Sequence, residues 1–237
     1  MNRAARVALI VTAALASLGF LALAAWQVQR LGWKQDLMAR IDAQVRADPV
    51  PLPLPAAWAA VGKADEYRRV RLKGRFEPRE ALVQATTELG GGHWVLAPLR
   101  LDDGSAILVN RGFVPPEQRA PERHAAPTGL VELVGLLRLT ETGGGPLRQN
   151  VPGEGRWYSR DVAGIAAQLA LTGPVAPFFV DESADPAKPR RYPRPGLTVL
   201  HFANNHAVYA ATWLALAVMA AAAAGYLVRE ERRRVTP

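Results

Sequence analysis

Residues 204–228, NNHAVYAATWLALAVMAAAAAGYLV, decide how this chain is organised. They form a long apolar run with one imidazole, His206, near its start, and no Lys, Arg, Asp or Glu lies between Arg194 and Arg229. A second run of this kind, residues 7–29, lies towards the other end of the chain. Because a bilayer core of about 30 Å needs about 20 apolar residues of helix, both runs are predicted to be transmembrane helices.

Each run has an alternative interpretation. The first has the features of a cleaved signal peptide, since Arg3 and Arg6 precede it and residues 22–24 read Ala-Leu-Ala. Its apolar core is longer than that of a typical signal peptide and helical sequence follows it, which favours a retained anchor. The second run suits a buried core helix, but its length and its abrupt basic end favour a membrane span.

The distribution of charge predicts the topology. Of the net charge of +8, the two ends of the chain, residues 1–30 and 206–237, carry +5, and all of this except the charge of Arg30 lies in the short tails 1–6 and 229–237. Short basic tails stay in the cytoplasm, whereas a long intervening domain is largely exempt from this rule. We therefore predict a multi-pass protein of the cell inner membrane with both termini cytoplasmic and a periplasmic central domain. Charge beside the spans indicates the lipid bilayer as a partner and argues against nucleic acid.

The segment between the spans is predicted to be mainly antiparallel β, an α+β domain with a barrel-like sheet. Residues 30–48 continue the first helix as an amphipathic helix, and the proline-rich residues 49–55 form a stiff linker or packing strap. The domain then covers residues 49–200, and residues 201–228 form the second span and its entry. Strands are predicted at residues 67–76, 81–85, 93–101, 105–114, 131–139 and 178–181, with a hairpin turn at 102–104.

Three further predictions concern a run of glycines, the cap of a helix and the charged face of one strand. Residues 90–92, three glycines, are predicted to form a turn or flexible loop. Ser159 is predicted to cap the one clear helix of the domain, residues 159–171. The side chains of Arg69, Arg71, Lys73 and Arg75 alternate with apolar ones, so one strand face is cationic and meets lipid phosphates, an acidic partner or solvent.

The residues contain no pattern typical of an enzyme. There is no nucleophile elbow and no metalloprotease motif, and the absence of cysteine excludes disulfides, covalent haem attachment and thiol redox chemistry. We therefore predict a protein that is not an enzyme, with a membrane-anchored hydrolase as a disfavoured alternative. Of the four histidines, His93 is predicted to be structural or superficial and His124 exposed, while His201 and His206 flank the membrane entry.

His206 is the candidate ligand of a metal or cofactor. An ionisable group entering an apolar span is costly and suggests a function, and neutral imidazole is a common axial ligand of haem iron. The alternative is an ordinary interfacial histidine in the aromatic belt. Because both spans reach the outer face here, the predicted cofactor site gathers His206, Arg30, Trp26, Gln27, Asn205, Tyr209 and Trp213.

Four blocks of the sequence resemble the Surfeit locus protein family. Residues 26–34, WQVQRLGWK, are similar to its W-Q-x-x-R-x-x-W-K element, and residues 67–76 to its Y-x-x-V-x-x-x-G-x-F element. Residues 109–115, VNRGFVP, resemble V-N-R-G-W-V-P with Phe113 in place of tryptophan. Residues 204–213 resemble the N-N-H-x-x-Y-x-x-T-W element that opens the family's second span.

This resemblance implies an assembly factor for haem-copper terminal oxidases, chiefly cytochrome c oxidase. Bacterial members are thought to bind haem a transiently at the outer membrane face and to help insert it into the catalytic subunit of the oxidase. The implied partners are that subunit and haem a synthase, and the family's haem-contacting histidine maps onto His206. The alternative is a cofactor-free membrane scaffold that binds nascent oxidase subunits.

Overall fold

The computed structural model describes residues 3–144, 148–187, 191–198 and 204–235, and these fall into two compact units. One unit comprises Met1–Arg40 with His201–Pro237, and the other is Ile41–Leu200. The predicted span entry at residues 201–203, with His201, lies outside the described residues, as do residues 145–147, 188–190 and 199–200.

Two long helices dominate the first unit. Helix α1 runs over Arg3–Arg46 and helix α3 over His206–Val235. Both are long and apolar enough to cross a membrane. Helix α1 does not stop after its apolar run, and its last turns, up to Arg46, belong to the second unit. At 1.5 Å per residue it is about 66 Å long, roughly twice what a bilayer core needs.

The second unit is built on a sheet that closes on itself. Its strands are β1 (Val50–Pro51), β2 (Arg69–Phe76), β3 (Ala81–Thr87), β4 (Gly90–Leu101), β5 (Ala106–Val114), β6 (Leu130–Leu139) and β7 (Val175–Glu182). Their order is β1-β2-β6-β7-β5-β4-β3, and β2 also pairs with β4. Strands β2, β6, β7, β5 and β4 therefore form a closed barrel in which only the β5–β7 pairing is parallel. The predicted mainly antiparallel, barrel-like domain is confirmed.

Two apolar layers stabilise this sheet. One fills the barrel, where Ile107 and Val109 of β5 meet Phe178 and Val180 of β7. The other lies outside it and includes Leu108 of β5, because successive side chains of a strand point to opposite faces. Helix α2 (Val162–Gln168) packs against this second layer together with Trp157. Both faces of β5 are therefore buried, which explains its nearly continuous apolar sequence.

The proline-rich segment acts as a packing strap. Val50 and Pro51 pair in parallel with β2, and Leu52 packs against the barrel interior. The following short helix, Pro55–Ala60, carries Trp58, whose indole meets Phe178 edge to face at 6.1 Å between ring centroids. The Trp58 indole N–H donates to Pro53 O at 2.9 Å, so a hydrogen bond links the short helix back to the proline-rich segment before it. Three more short helices cover Pro116–Gln118, Pro121–Arg123 and Pro152–Glu154.

Two local predictions are wrong. Residues 90–92 are not a loop but the start of β4, because a Cβ on Gly92 would lie 2.5 Å from the Phe113 ring and only glycine lets the strands meet there. Ser159 does not cap α2. Its hydroxyl accepts hydrogen bonds from Gly144 N and Asn150 Nδ2, and the carboxylate of Asp161 caps the helix by accepting from Gly164 N at 3.1 Å.

Gly74 controls the closure of the barrel. It lies where β2 leaves β6 and pairs with β4, opposite Leu101. A Cβ at Gly74 would be 2.4 Å from the carbonyl oxygen of Arg100, a contact that backbone movement alone could relieve. The approach of the two strands at this point therefore depends on the missing side chain.

We expect Gly74→Ala to lower the free energy of unfolding by about 1–3 kcal/mol, since overpacking forces the closing strands apart. Gly91→Ala is the matched control, because Gly91 also lies in a strand but a Cβ there meets nothing within 4 Å. Chemical denaturation followed by tryptophan fluorescence measures both variants. Equal effects of the two substitutions would show that closure does not depend on Gly74.

Candidate functional site

The two long helices contact each other in antiparallel order. Arg6 Nη1 donates to a carboxylate oxygen of Glu231 at 2.9 Å, and the Ser17 hydroxyl donates to Ala217 O at 2.9 Å. Further along α1, the ring of Phe20 stacks on Trp213, with 5.6 Å between centroids and 22° between planes. As the positions rise along α1 they fall along α3, which fixes one register for the pair.

The hydrogen bond between Gln27 and His206 lies at the other end of this contact. The side-chain oxygen of Gln27 is 2.7 Å from His206 Nδ1, and Gln27 is only 8% exposed. An amide oxygen accepts, so Nδ1 carries the proton and the lone pair is left on Nε2. The bond thus holds the ring in one tautomer and one orientation.

An aromatic pair lies on the same face of each helix, further along. Phe20 and Gln27 are seven residues apart, as are His206 and Trp213, and seven residues are nearly two full turns. The stacked rings therefore lie about 10 Å along the axis from the imidazole. They pack the apolar seam behind it and separate it from the Ser17–Ala217 contact.

The other residues of the predicted site are less closely gathered. Trp26 is 50% exposed and Tyr209 is 53% exposed. Each is next in sequence to a residue of the face that contacts the other helix, so its side chain points away from that face. The Arg30 guanidinium is stacked over the Trp33 ring, 4.8 Å from its centroid. Asn205 is exposed, and its carbonyl accepts from Tyr209 N in the first turn of α3. The predicted set of site residues stays a prediction. Within that set, the structure shows a direct hydrogen bond between Gln27 and His206.

The part of the chain that the structure describes contains no metal site built from several side-chain ligands. No group of three or more histidine, aspartate or glutamate side chains could hold a metal ion there. The side-chain oxygen of Asn204, two residues before His206, is buried and has no hydrogen-bond partner among the described residues.

Ser17 and Glu231 are contacts that the sequence reasoning did not identify. Both lie on the faces where the helices meet, and Ser17 is buried. Ser17, Phe20, Ala24 and Gln27 are separated by alternate steps of three and four residues, the spacing of a helix that packs along one seam. That spacing was the available signal for the contacting face.

Comparison with known proteins identifies the family. The SURF1 family matches residues 14–218 of this chain. The chain belongs to the SURF1 family. Surfeit locus protein 1 of Homo sapiens is 35% identical, with 91% of this chain and 74% of the human protein covered. Its Mus musculus relative is 36% identical (91% and 72% covered), and a SURF1-like protein of Monosiga brevicollis is 32% identical (90% and 84% covered). The resemblance seen in the four sequence blocks is confirmed.

In this member of the SURF1 family, the Val-Asn-Arg-Gly block of β5 has a structural role. Asn110 Nδ2 donates to Asp181 at 2.8 Å, and Asn110 Oδ1 accepts from Gly112 N. Arg111, also buried, donates to the carbonyls of His124 and Ala125. Gly112 has a φ of +123°, and a Cβ there would overlap the Arg194 backbone, which bridges to Phe113. The block thus ties β5 to three other segments.

Asp181 is the centre of a buried ionic cluster that spans β6, β7 and the start of α2. Its carboxylate accepts from Arg138 at 3.0 Å, from Arg160 at 3.2 Å and from the Thr198 hydroxyl at 3.0 Å. Arg160 also donates to Glu141 through two nitrogens. A buried carboxylate is tolerated when it is paired and fully hydrogen-bonded, as it is here. The cluster stabilises the barrel and offers no open ligand position.

The prediction that His124 is exposed is wrong. The residue is 3% exposed, and both ring nitrogens lie 2.7 Å from an acceptor, Nδ1 from Gln118 O and Nε2 from Glu80. A buried imidazole needs such partners, and it gains them because the loop after β5 folds back over the residue preceding β3. His124 therefore anchors that loop, with the buried Arg111 guanidinium beside Glu80.

We expect Glu141 to make stability depend on acid pH. Burial opposes ionisation, but the hydrogen bonds and charge of Arg160 hold the pKa of the Glu141 carboxyl below its ordinary value of 4.5. Its stabilising contribution is therefore complete above about pH 4.5 and is lost as pH falls through the lower, folded-state pKa. Glu141→Gln should flatten the fall in unfolding midpoint between about pH 5 and pH 3.

Thermal unfolding at a series of pH values measures this effect. Glu117→Gln, at an exposed position of the short helix Pro116–Gln118, serves as the control and should keep the wild-type profile. An unchanged profile in Glu141→Gln would show that Arg160 does not stabilise the ionised carboxylate.

Proposed function

We propose that the protein is a non-enzymatic assembly factor for a haem-copper terminal oxidase, chiefly cytochrome c oxidase. It binds haem a transiently, receives it from haem a synthase and presents it to the catalytic subunit. Membership of the SURF1 family supports the role in oxidase assembly, because the resemblance to that family implies this role. The observation that carries the haem part of the proposal is the hydrogen bond from His206 Nδ1 to Gln27.

The residues present fit an axial ligand. A histidine that binds a metal almost always donates its other ring N–H to a carbonyl or carboxylate, which fixes the tautomer. Gln27 provides that acceptor, and it is buried against α3, so the ring cannot turn without breaking the bond. When bound, haem a would supply an iron that can accept an imidazole nitrogen, and two negatively charged propionates. His206 Nε2 would coordinate, and Gln27 would hold the ring.

The neighbouring residues would shield and orient the cofactor. The Phe20–Trp213 stack would shield the side of the imidazole that faces the apolar seam. Trp26 and Tyr209, both half-exposed, offer aromatic faces at the level of a membrane interface. The exposed guanidinium of Arg30 is a partner for a propionate, and the side chain of Asn205 a further donor at the edge. A site held by one ligand and open on one side suits transient binding.

We further propose that α1 and α3 cross the cell inner membrane, with both termini cytoplasmic and the barrel domain periplasmic. Polar contacts mark the two ends of the seam, Arg6 with Glu231 and Gln27 with His206. Along α1 these contacts are about 32 Å apart at 1.5 Å per residue, close to the bilayer core of about 30 Å. The basic tails support the cytoplasmic side for the Arg6 end.

We expect the full chain, co-produced with a haem a synthase, to purify with haem a, as its absorption spectrum would show. His206→Ala should lose the haem, because the coordinating nitrogen is removed. Gln27→Leu keeps the side-chain volume but not the acceptor, and should weaken haem binding roughly tenfold. His93→Ala, a histidine of the barrel, is the control and should load like wild type. A haem-free wild type, or full loading of His206→Ala, would refute the ligand proposal.

The topology is tested by labelling engineered cysteines, since the chain has no cysteine of its own. Glu122→Cys lies at an exposed position of the barrel domain, and Arg233→Cys at an exposed position near the end of α3. A maleimide that cannot cross membranes should label the first in intact spheroplasts, and the second only after permeabilisation. Labelling of Arg233→Cys in intact spheroplasts would reverse the proposed orientation.

A further inference from the structure

A cationic row lies on the outer face of β2, formed by Arg69, Arg71, Lys73 and Arg75. The alternate residues point into the barrel and are buried, so the four cations share one face, and the last three are exposed. At two residues per step the charges recur about every 7 Å. The row is one residue wide and about 20 Å long.

Most of this row has no ion-pair partner within the part of the chain that the structure describes. On the other strands of the barrel every arginine is engaged: Arg100 with Glu77, Arg111 with Glu80 and Arg138 with Asp181. Among the described residues, Arg69, Lys73 and Arg75 make no ion pair. The arginines of the other barrel strands are thus compensated, whereas on β2 only Arg71 has an acidic partner and the like charges of the row lie side by side and repel one another.

The neighbouring strand shows what the row accepts. On β6, Glu132 lies directly opposite Lys73, and its carboxylate is 3.6 Å from Arg71 Nε. Val134 lies opposite Arg71 and Leu130 opposite Arg75, so the flank of the row is otherwise apolar. One carboxylate therefore already stands between two members of the row, and an exposed pair of this kind is weak and exchangeable.

We propose that the row is a docking surface for an acidic, extended segment of a partner protein. Such a segment places alternate side chains on one face at the same interval of about 7 Å, so its carboxylates match the cations one to one. A single narrow row flanked by Glu132 is a poor match for a broad anionic membrane, which would repel that carboxylate. This inference goes beyond the haem site and holds whether or not haem is bound.

The test measures binding of a fluorescent ten-residue peptide of alternating Glu and Ser to the haem-free full chain. The chain is held in phosphatidylcholine nanodiscs, which carry no anionic lipid, and fluorescence anisotropy gives the affinity. The variant Arg71→Glu/Lys73→Glu/Arg75→Glu should bind at least tenfold more weakly, and the corresponding glutamine variant should show an intermediate loss. Raising the salt from 50 to 200 mM should weaken wild-type binding.

The control is Lys63→Glu/Arg119→Glu/Arg123→Glu, which changes the net charge equally at three exposed positions outside the sheet. It should bind within twofold of wild type, and the unfolding midpoints show which variants stay folded. An equal loss in this control, or no saturable binding by wild type, would overturn the proposal. So would row-dependent binding of phosphatidylglycerol vesicles in place of the peptide. None of these outcomes bears on haem loading, which is recorded separately from the absorption spectrum.

Discussion

The hydrogen bond between Gln27 and His206 is the contact on which the arrangement of the two long helices depends. Polar side chains on helices of this composition have few partners other than each other, and an unpaired one in an apolar setting costs several kcal/mol. Gln27 and His206 satisfy one another at one end of the seam, as Arg6 and Glu231 do at the other. Sliding either helix by one residue would break both contacts, so the register and the orientation of the imidazole are fixed together.

The barrel domain is stabilised by different means. It has no disulfide, because the chain has no cysteine, and its closure depends on close backbone approaches at glycines such as Gly74. Its buried charges are compensated locally, above all around Asp181, whose partners come from several segments distant in sequence. The Asn-Arg-Gly part of the β5 block serves this internal framework. The exposed charge of β2 is the exception, and it leaves the domain an outward-facing surface.

Periodicity allowed the elements to be predicted, but long-range contacts could not be predicted. The two apolar runs and the alternation in β2 follow from local patterns, so the helices and most strands were located correctly. His124 was misjudged because it lies in a loop rich in proline, arginine and alanine, whereas it is buried against Glu80, which is distant in sequence. The glycines at 90–92 look like a loop, and only the Phe113 ring packed against Gly92 explains why they form a strand.

The candidate site shows the same limit. The sequence predicted that Trp26, Gln27 and His206 lie at one level along the two helices, but it could not predict the rotation of each helix about its axis. The structure adds that rotation: Gln27 faces His206, while Trp26 and Tyr209 turn outwards. Of the seven predicted residues, Gln27 and His206 form a hydrogen bond with each other, and Trp213 stacks on Phe20 next to them.

The most direct test of this account is the tautomer of His206 in the haem-free protein, measured by ¹⁵N NMR of the full chain with labelled histidine rings. The signals of His206 are those that disappear in His206→Ala. The account predicts a proton on Nδ1 and an unprotonated Nε2 at pH 8, and a change of this pattern in Gln27→Leu. A proton on Nε2, or a ring unaffected by Gln27→Leu, would contradict it.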